Sequence, residues 1–144
     1  MNRNLKVSKS IEINSNAENV WDALTNPEKI KVYLFGTETI TDWKVASPII
    51  FQGEYDGHKY KDKGNVIENS KNETLKYNYW SGFSGLEDKE ENYAIITYNI
   101  EKLSDHLLKL TWSQEGFANE EGQQHSENTL FAMLEQIKKL VEEK

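Results

Sequence analysis

Apolar residues toward the end of the chain fall at Leu130, Met133, Leu134, Ile137, Leu140 and Val141. Steps of three and four place them on one stripe of a helix, and Phe131 widens that stripe on one flank. Glu127, Glu135, Lys138, Lys139 and Glu142 take the other face, with Glu135 and Lys139 in the favourable i,i+4 order. The pattern predicts one helix over Glu120–Glu143, roughly 36 Å long at about 1.5 Å per residue. Before it, the period is mostly two.

Leu5–Ile13 alternates, with Leu5, Val7, Ile11 and Ile13 on one side and Lys6, Ser8, Ser10 and Glu12 on the other, as in a half-buried strand. Ser15-Asn16-Ala17-Glu18 has the form of a capping box with Ser15 as the cap, and a short helix through Leu24 would bury Val20, Trp21 and Leu24. Asn26-Pro27 starts a second helix, since Asn caps and Pro is pre-set for the first helical position. It should run over Pro27–Leu34 and stop before Gly36. Strands follow over Thr37–Trp43, Pro48–Tyr55, Lys59–Asn69, Thr74–Ser81, Asn92–Lys102 and His106–Glu115. Asp56-Gly57 is a two-residue hairpin signal, while Gly82–Glu91, rich in glycine and acid, reads as an exposed loop. The order is strand, two short helices, six strands, long helix. Hairpin-length connections make the sheet antiparallel and the class α+β: a seven-stranded curved sheet around a long C-terminal helix, with two short helices after the first strand. With no repeat or low-complexity tract, residues 1–144 read as a single domain.

Alternation also predicts which strand residues face that helix. They are Ile49, Phe51 and Tyr55; Leu75, Tyr77 and Tyr79; Ala94, Ile96, Tyr98 and Ile100; and Leu108, Leu110 and Trp112. Five of these pair a ring with one polar atom that needs a partner when buried. Two readings stay open. The rings form an ordinary close-packed core, or a curved sheet and a straight helix mate imperfectly and leave an apolar pocket with a few polar tips.

The chain has 144 residues, enough for a core without staples. It has no cysteine, which removes disulfides and thiolate chemistry. Its N-terminus is too polar for a secretory signal and no apolar run approaches the ~20 residues of a membrane span, so a cytoplasmic setting is expected. Net charge is −7 with basic residues scattered among acids, which argues against nucleic acid as a partner.

Candidate chemistry is sparse. His58, His106 and His125 have no second ligand at metal-binding spacing, and His125-Ser126-Glu127 lacks the cysteines of a deaminase zinc motif. Gly82-Phe83-Ser84-Gly85 is one residue short of a nucleophile elbow and leads into an acidic loop rather than a helix. Neither a phosphate-cradling glycine loop nor an acid–base pair is visible. No cofactor, metal or catalytic residue is therefore expected.

Four separated stretches carry a resemblance. Val20-Trp21-Asp22-Ala23-Leu24-Thr25-Asn26-Pro27-Glu28, then Asp42-Trp43-Lys44-Val45-Ala46-Ser47, then Gly64-Asn65-Val66-Ile67-Glu68 with Leu75-Lys76-Tyr77-Asn78-Tyr79-Trp80 resemble a family of stand-alone bacterial proteins. These are related to the C-terminal domain of the activator of the ninety-kilodalton heat-shock chaperone's ATPase. The family belongs to the START-like (SRPBCC) superfamily, so the resemblance implies its helix-grip fold. It does not fix activity, because proteins of this fold bind hydrophobic molecules, cyclise polyketides or touch chaperones. Three functions follow as expectations: non-catalytic binding of a hydrophobic or lipid-like small molecule, a regulatory module with a chaperone or other protein partner, or a cyclase- or hydrolase-type enzyme using the same pocket. The absence of an inward Asp or Glu from the strand assignment counts against the third. Expected wall residues are Phe51, Tyr77, Tyr79, Tyr98, Trp112, Met133 and Ile137, with Tyr33 closing the mouth. Ala46 departs from the glycine many members carry, which implies a turn that avoids positive φ.

Overall fold

The computed structural model describes residues Met1–Glu142, and in it the alternating start of the chain forms β1 (Asn2–Ile13). Helix α1 (Ala17–Thr25) follows, capped by Asn16, whose side chain accepts from Asn19 N at 2.9 Å. The cap thus sits one residue later than the capping-box pattern places it, and Ser15 Oγ is taken instead by Asn19 Nδ2 at 3.2 Å. Asn26 closes α1 through its backbone N–H on Asp22 O and opens α2 (Pro27–Tyr33) by accepting from Glu28 N. Six further strands complete the sheet: β2 (Glu38–Ile40), β3 (Pro48–Tyr55), β4 (His58–Ser70), β5 (Thr74–Tyr79), β6 (Ala94–Ser104) and β7 (Leu107–Phe117). The final helix, α3, spans Glu120–Glu142; the expected last residue, Glu143, lies outside the described residues.

The seven strands pair in the order β1-β7-β6-β5-β4-β3-β2, every neighbour antiparallel, in an open curved sheet of the helix-grip kind. The β3–β4 hairpin turns on Asp56 and Gly57 with φ of 50° and 78°, both positive as its two-residue turn requires. At Gly64 the sheet tolerates no side chain, because a Cβ would stand 1.8 Å from Asn78 O. No helix among the described residues is long and apolar enough to cross a membrane.

Helix α3 buries Leu130, Leu134, Ile137 and Val141, with Met133 and Leu140 packed at their flank. Phe131, expected to widen that stripe, is 45 % exposed, since it lies about 100° around the helix from Leu130. The helix does not lie centrally across the sheet. Its main partner is β1, with less contact to α1, α2 and β7. Polar side chains fix this docking: Gln123 Nε2 donates to Lys6 O at 3.0 Å, Lys138 Nζ to Glu12 O at 2.8 Å, and Glu142 Oε2 accepts from Asn14 N at 2.7 Å. Lys9, the polar residue among the inward positions of β1, pairs with Glu127 at 2.6 Å. Because β1 is an edge strand, these contacts also occupy backbone groups that would otherwise template further pairing. The i,i+4 ion pair on α3 among the described residues is Lys138–Glu142 at 2.7 Å, not Glu135–Lys139.

Three further expectations are corrected. Thr37–Trp43 is a strand only over Glu38–Ile40, because Trp43 turns to φ 62° and donates its indole N–H to Thr25 O at 2.8 Å. Tyr55, expected to face inward, is 70 % exposed at the hairpin tip, beyond the reach of α3. Ala46 adopts φ 75°, not the negative φ its side chain implied. The turn is held from outside, by Ala46 N on Val66 O and Val66 N on Ser47 O. Ala46→Gly should therefore stabilise the fold by up to ~1 kcal/mol, the left-handed penalty of roughly 1–2 kcal/mol less the ~0.5–1 kcal/mol entropic cost of glycine. Thermal unfolding should show a midpoint a few degrees higher, and a lower midpoint would contradict this account.

Candidate functional site

The docking of α3 along β1 leaves part of the inner sheet face without a helix above it. There, Phe51 of β3, Tyr77 and Tyr79 of β5, Ile96 and Tyr98 of β6, and Trp112 and Gln114 of β7 form the floor of a recess of about 220 Å³. Leu34, Phe35, Thr37 and Met133 complete its wall from the end of α2 and from α3. Strand register explains the grouping: Tyr77 stands opposite Ile96, Tyr98 opposite Trp112 and Ile96 opposite Gln114, so antiparallel partners share the inner face. Phe51 touches Tyr77 with ring centroids 5.7 Å apart, and meets Tyr79 edge-on at the same distance.

Phe35 is the most exposed of the lining residues, at 82 %. It owes that position to the end of α2, where Gly36 N bonds back to Lys31 O and both Phe35 and Gly36 take positive φ, 52° and 92°. A bulky residue in this region is uncommon. The ring is thereby held at the rim of the recess instead of under α2.

Of the residues expected to line a pocket, Phe51, Tyr77, Tyr79, Tyr98, Trp112 and Met133 meet around the recess. Tyr33 and Ile137 do not. Tyr33 is 1 % exposed beneath α1, its hydroxyl donating to Ala23 O at 3.0 Å, and Ile137 is buried under α3. Leu34, Phe35, Thr37, Ile96 and Gln114 were not singled out as wall residues. Ile96 and Gln114 share the alternation phase of Tyr98 and Trp112 and were legible in that way, whereas the residues after α2 come close only through the path of the chain.

One carboxylate was also missed. Asp62 of β4 is buried, pairs in register with Phe51, and accepts the Tyr79 hydroxyl proton. Stepping back by twos from Val66 through Gly64 reaches Asp62, so its inward position was readable. Burial pushes its carboxyl above the usual carboxylate range, against the opposing effect of hydrogen bonds from Tyr79, Ser81 and the Gly82 backbone. Burial likewise raises the phenols of Tyr33, Tyr77, Tyr79 and Tyr98, which stay neutral at physiological pH.

The sequence profile described as Activator of Hsp90 ATPase homolog 1-like protein matches residues 14–142. The chain belongs to this family. Among solved structures, ChR145 from Cytophaga hutchinsonii is 37 % identical, with a TM-score of 0.82 over 99 % of this chain and 97 % of its own. The Aha1 dimer from Colwellia psychrerythraea shares 14 % identity at a TM-score of 0.74, covering 96 % of each chain. An HSP90 activator from Plasmodium falciparum, PFC0360w, also shares 14 % identity, at 0.73 over 95 % of each chain. At such identities the last two share the fold. No curated protein matches the sequence significantly. Fold and family together describe a domain of the ligand-binding or regulatory type.

The raised Asp62 carboxyl has a consequence for stability. Folding favours its protonated form, so the contribution is fully present below the unfolded carboxylate pKa and is lost as pH rises through the folded one. The stability of the wild type relative to Asp62→Asn, which keeps an acceptor for Tyr79, should fall as pH rises above about 4. Urea unfolding at a series of pH values measures this. A difference that grows with pH, or does not change, would contradict the assignment.

Proposed function

We propose that the chain binds a small hydrophobic molecule in the recess between the sheet, α3 and the end of α2, without performing chemistry on it. The observation that carries this reading is an apolar, aromatic-lined hollow of about 220 Å³ with a small number of polar tips, the usual composition of a small-molecule site. Binding is favoured over cyclase- or hydrolase-type catalysis by the chemistry of the wall. Its residues are aromatic, aliphatic or neutral polar, and Asp62, the buried carboxylate among the described residues, stands behind Tyr79 rather than in the lining.

A second reading, a regulatory module that engages a chaperone-type protein, is favoured by family membership and by the net charge of −7. It calls for salt-sensitive contact through the outer surface, indifferent to whether the recess is filled. The two readings therefore separate by experiment.

Naphthalene near saturation should raise the thermal midpoint, because a ligand that prefers the folded state stabilises it by mass action, by about 2.7 kcal/mol at a hundred times Kd. Met133→Trp, which brings a larger ring to the half-buried wall, should abolish the ligand-induced shift while leaving the far-ultraviolet circular dichroism unchanged. If no molecule in a panel of one- and two-ring hydrocarbons shifts the midpoint of the wild type, the binding reading fails.

A further inference from the structure

Phe35 ends α2 in a way that the stability of the helix does not explain. With Tyr33 as the last helical residue and Leu34 as its cap, Gly36 N on Lys31 O is the six-to-one bond of a Schellman ending. That ending needs a left-handed residue at position 35, and glycine is the usual occupant because a Cβ there crowds the following carbonyl. This chain instead places Phe35 in the turn with φ 52° and its glycine one position later. A side chain held against backbone preference is commonly compensated by burial, yet the Phe35 ring is 82 % exposed. Glycine would make the same turn without the ring. Outliers of this kind collect at ligand clamps and switch segments, where the strain serves function.

The surroundings say which role the ring has. Phe35 belongs to the wall of the recess and is the exposed member of that wall, the other lining residues being buried or half-buried. Its flanks are fixed. Leu34 packs on the core with its amide on Ile30 O at 2.9 Å, while Thr37 is buried, donating Oγ1 to Leu34 O at 2.8 Å and accepting the Tyr60 hydroxyl. Between these anchors stands Gly36, where even a Cβ would meet nothing within 4 Å and where either sign of φ is open to the chain. The segment can therefore turn at Phe35 and Gly36 without disturbing α2 or β2. An apolar molecule resting on Phe51, Tyr77 and Trp112 would present its upper surface at this rim, and a ring turned onto it would leave water together with it.

We propose that Phe35 is the lid of the recess: its ring swings from the rim onto a bound molecule, hinged at Gly36 between the anchors Leu34 and Thr37, and slows that molecule's escape. The inference rests on the binding reading above and adds the moving part of the site.

The test follows naphthalene on the wild type, Phe35→Gly and Phe35→Leu. Because Phe35→Gly keeps the left-handed turn, its thermal midpoint without ligand should be no lower than that of the wild type. Calorimetric titration should show naphthalene bound about tenfold more weakly by Phe35→Gly, the loss lying in faster dissociation, and Phe35→Leu, which restores an apolar lid, should recover part of it. A dissolved gadolinium chelate reads the movement itself. It should broaden the Phe35 ring protons of the free protein and spare them in the naphthalene complex. Equal affinity and dissociation rate in the wild type and Phe35→Gly overturn the lid and leave the binding reading standing, as does a Phe35 ring equally accessible in the free protein and the complex. Failure of Phe35→Leu to recover any affinity assigns the loss to the turn rather than to the ring and overturns the lid as well. If the wild type binds neither naphthalene nor any of the one- and two-ring hydrocarbons, the binding reading itself fails and the lid with it.

Discussion

Everything in this structure depends on where α3 is fastened. Its apolar stripe, Leu130, Leu134, Ile137 and Val141, closes the core, but a stripe alone lets a helix slide or rotate over a curved sheet. The polar contacts to β1, from Gln123 to Lys6 O, Lys138 to Glu12 O and Glu142 to Asn14 N, hold it along the edge strand. Surface contacts of this kind each contribute little to stability. Their effect is positional: they fix the docking that burial by itself leaves free.

An edge-docked helix cannot also cover the opposite half of the sheet. The inner positions of β3, β5 and β6 are therefore roofed by the end of α2, where the left-handed step at Phe35 and Gly36 turns the chain toward β2. Between the two roofs the rings of Phe51, Tyr77, Tyr98 and Trp112 face a hollow instead of a packed partner. A purely structural core would fill such a space, since interiors are close-packed. Here the space stays open, bordered by Phe51, Tyr77, Tyr98 and Trp112 from the sheet and by Met133 from α3.

Much of this was legible in the sequence. Period-two alternation places Phe51, Tyr77, Tyr79, Tyr98 and Trp112 on one face without knowledge of pairing, and the three- and four-residue spacing of α3 marks the helix that closes the core. The misses have distinct physical origins. Asp62 was overlooked because its strand carries little apolar content to set the phase, although Val66 and Gly64 supply it. Tyr33 was placed at the mouth because the face a short helix presents depends on how it packs against α1, and that packing buries it on Ala23 O. Phe35 and Ala46 take positive φ where the residue types favour negative values, Phe35 in the turn that ends α2 with Gly36 N on Lys31 O, and Ala46 through its long-range bond to Val66 O. The seating of α3 at the β1 edge is likewise a matter of long-range contacts, which periodicity does not encode.

The central claim is that the space left by edge-docking of α3 is the place where a ligand sits. Intermolecular nuclear Overhauser effects from the ring protons of a saturating two-ring ligand test it most directly. The account predicts contacts to the Met133 methyl group and to the rings of Phe51 and Tyr77. Contacts instead to Lys76, Thr97 or Ser113, on the outer face of the sheet, would contradict it.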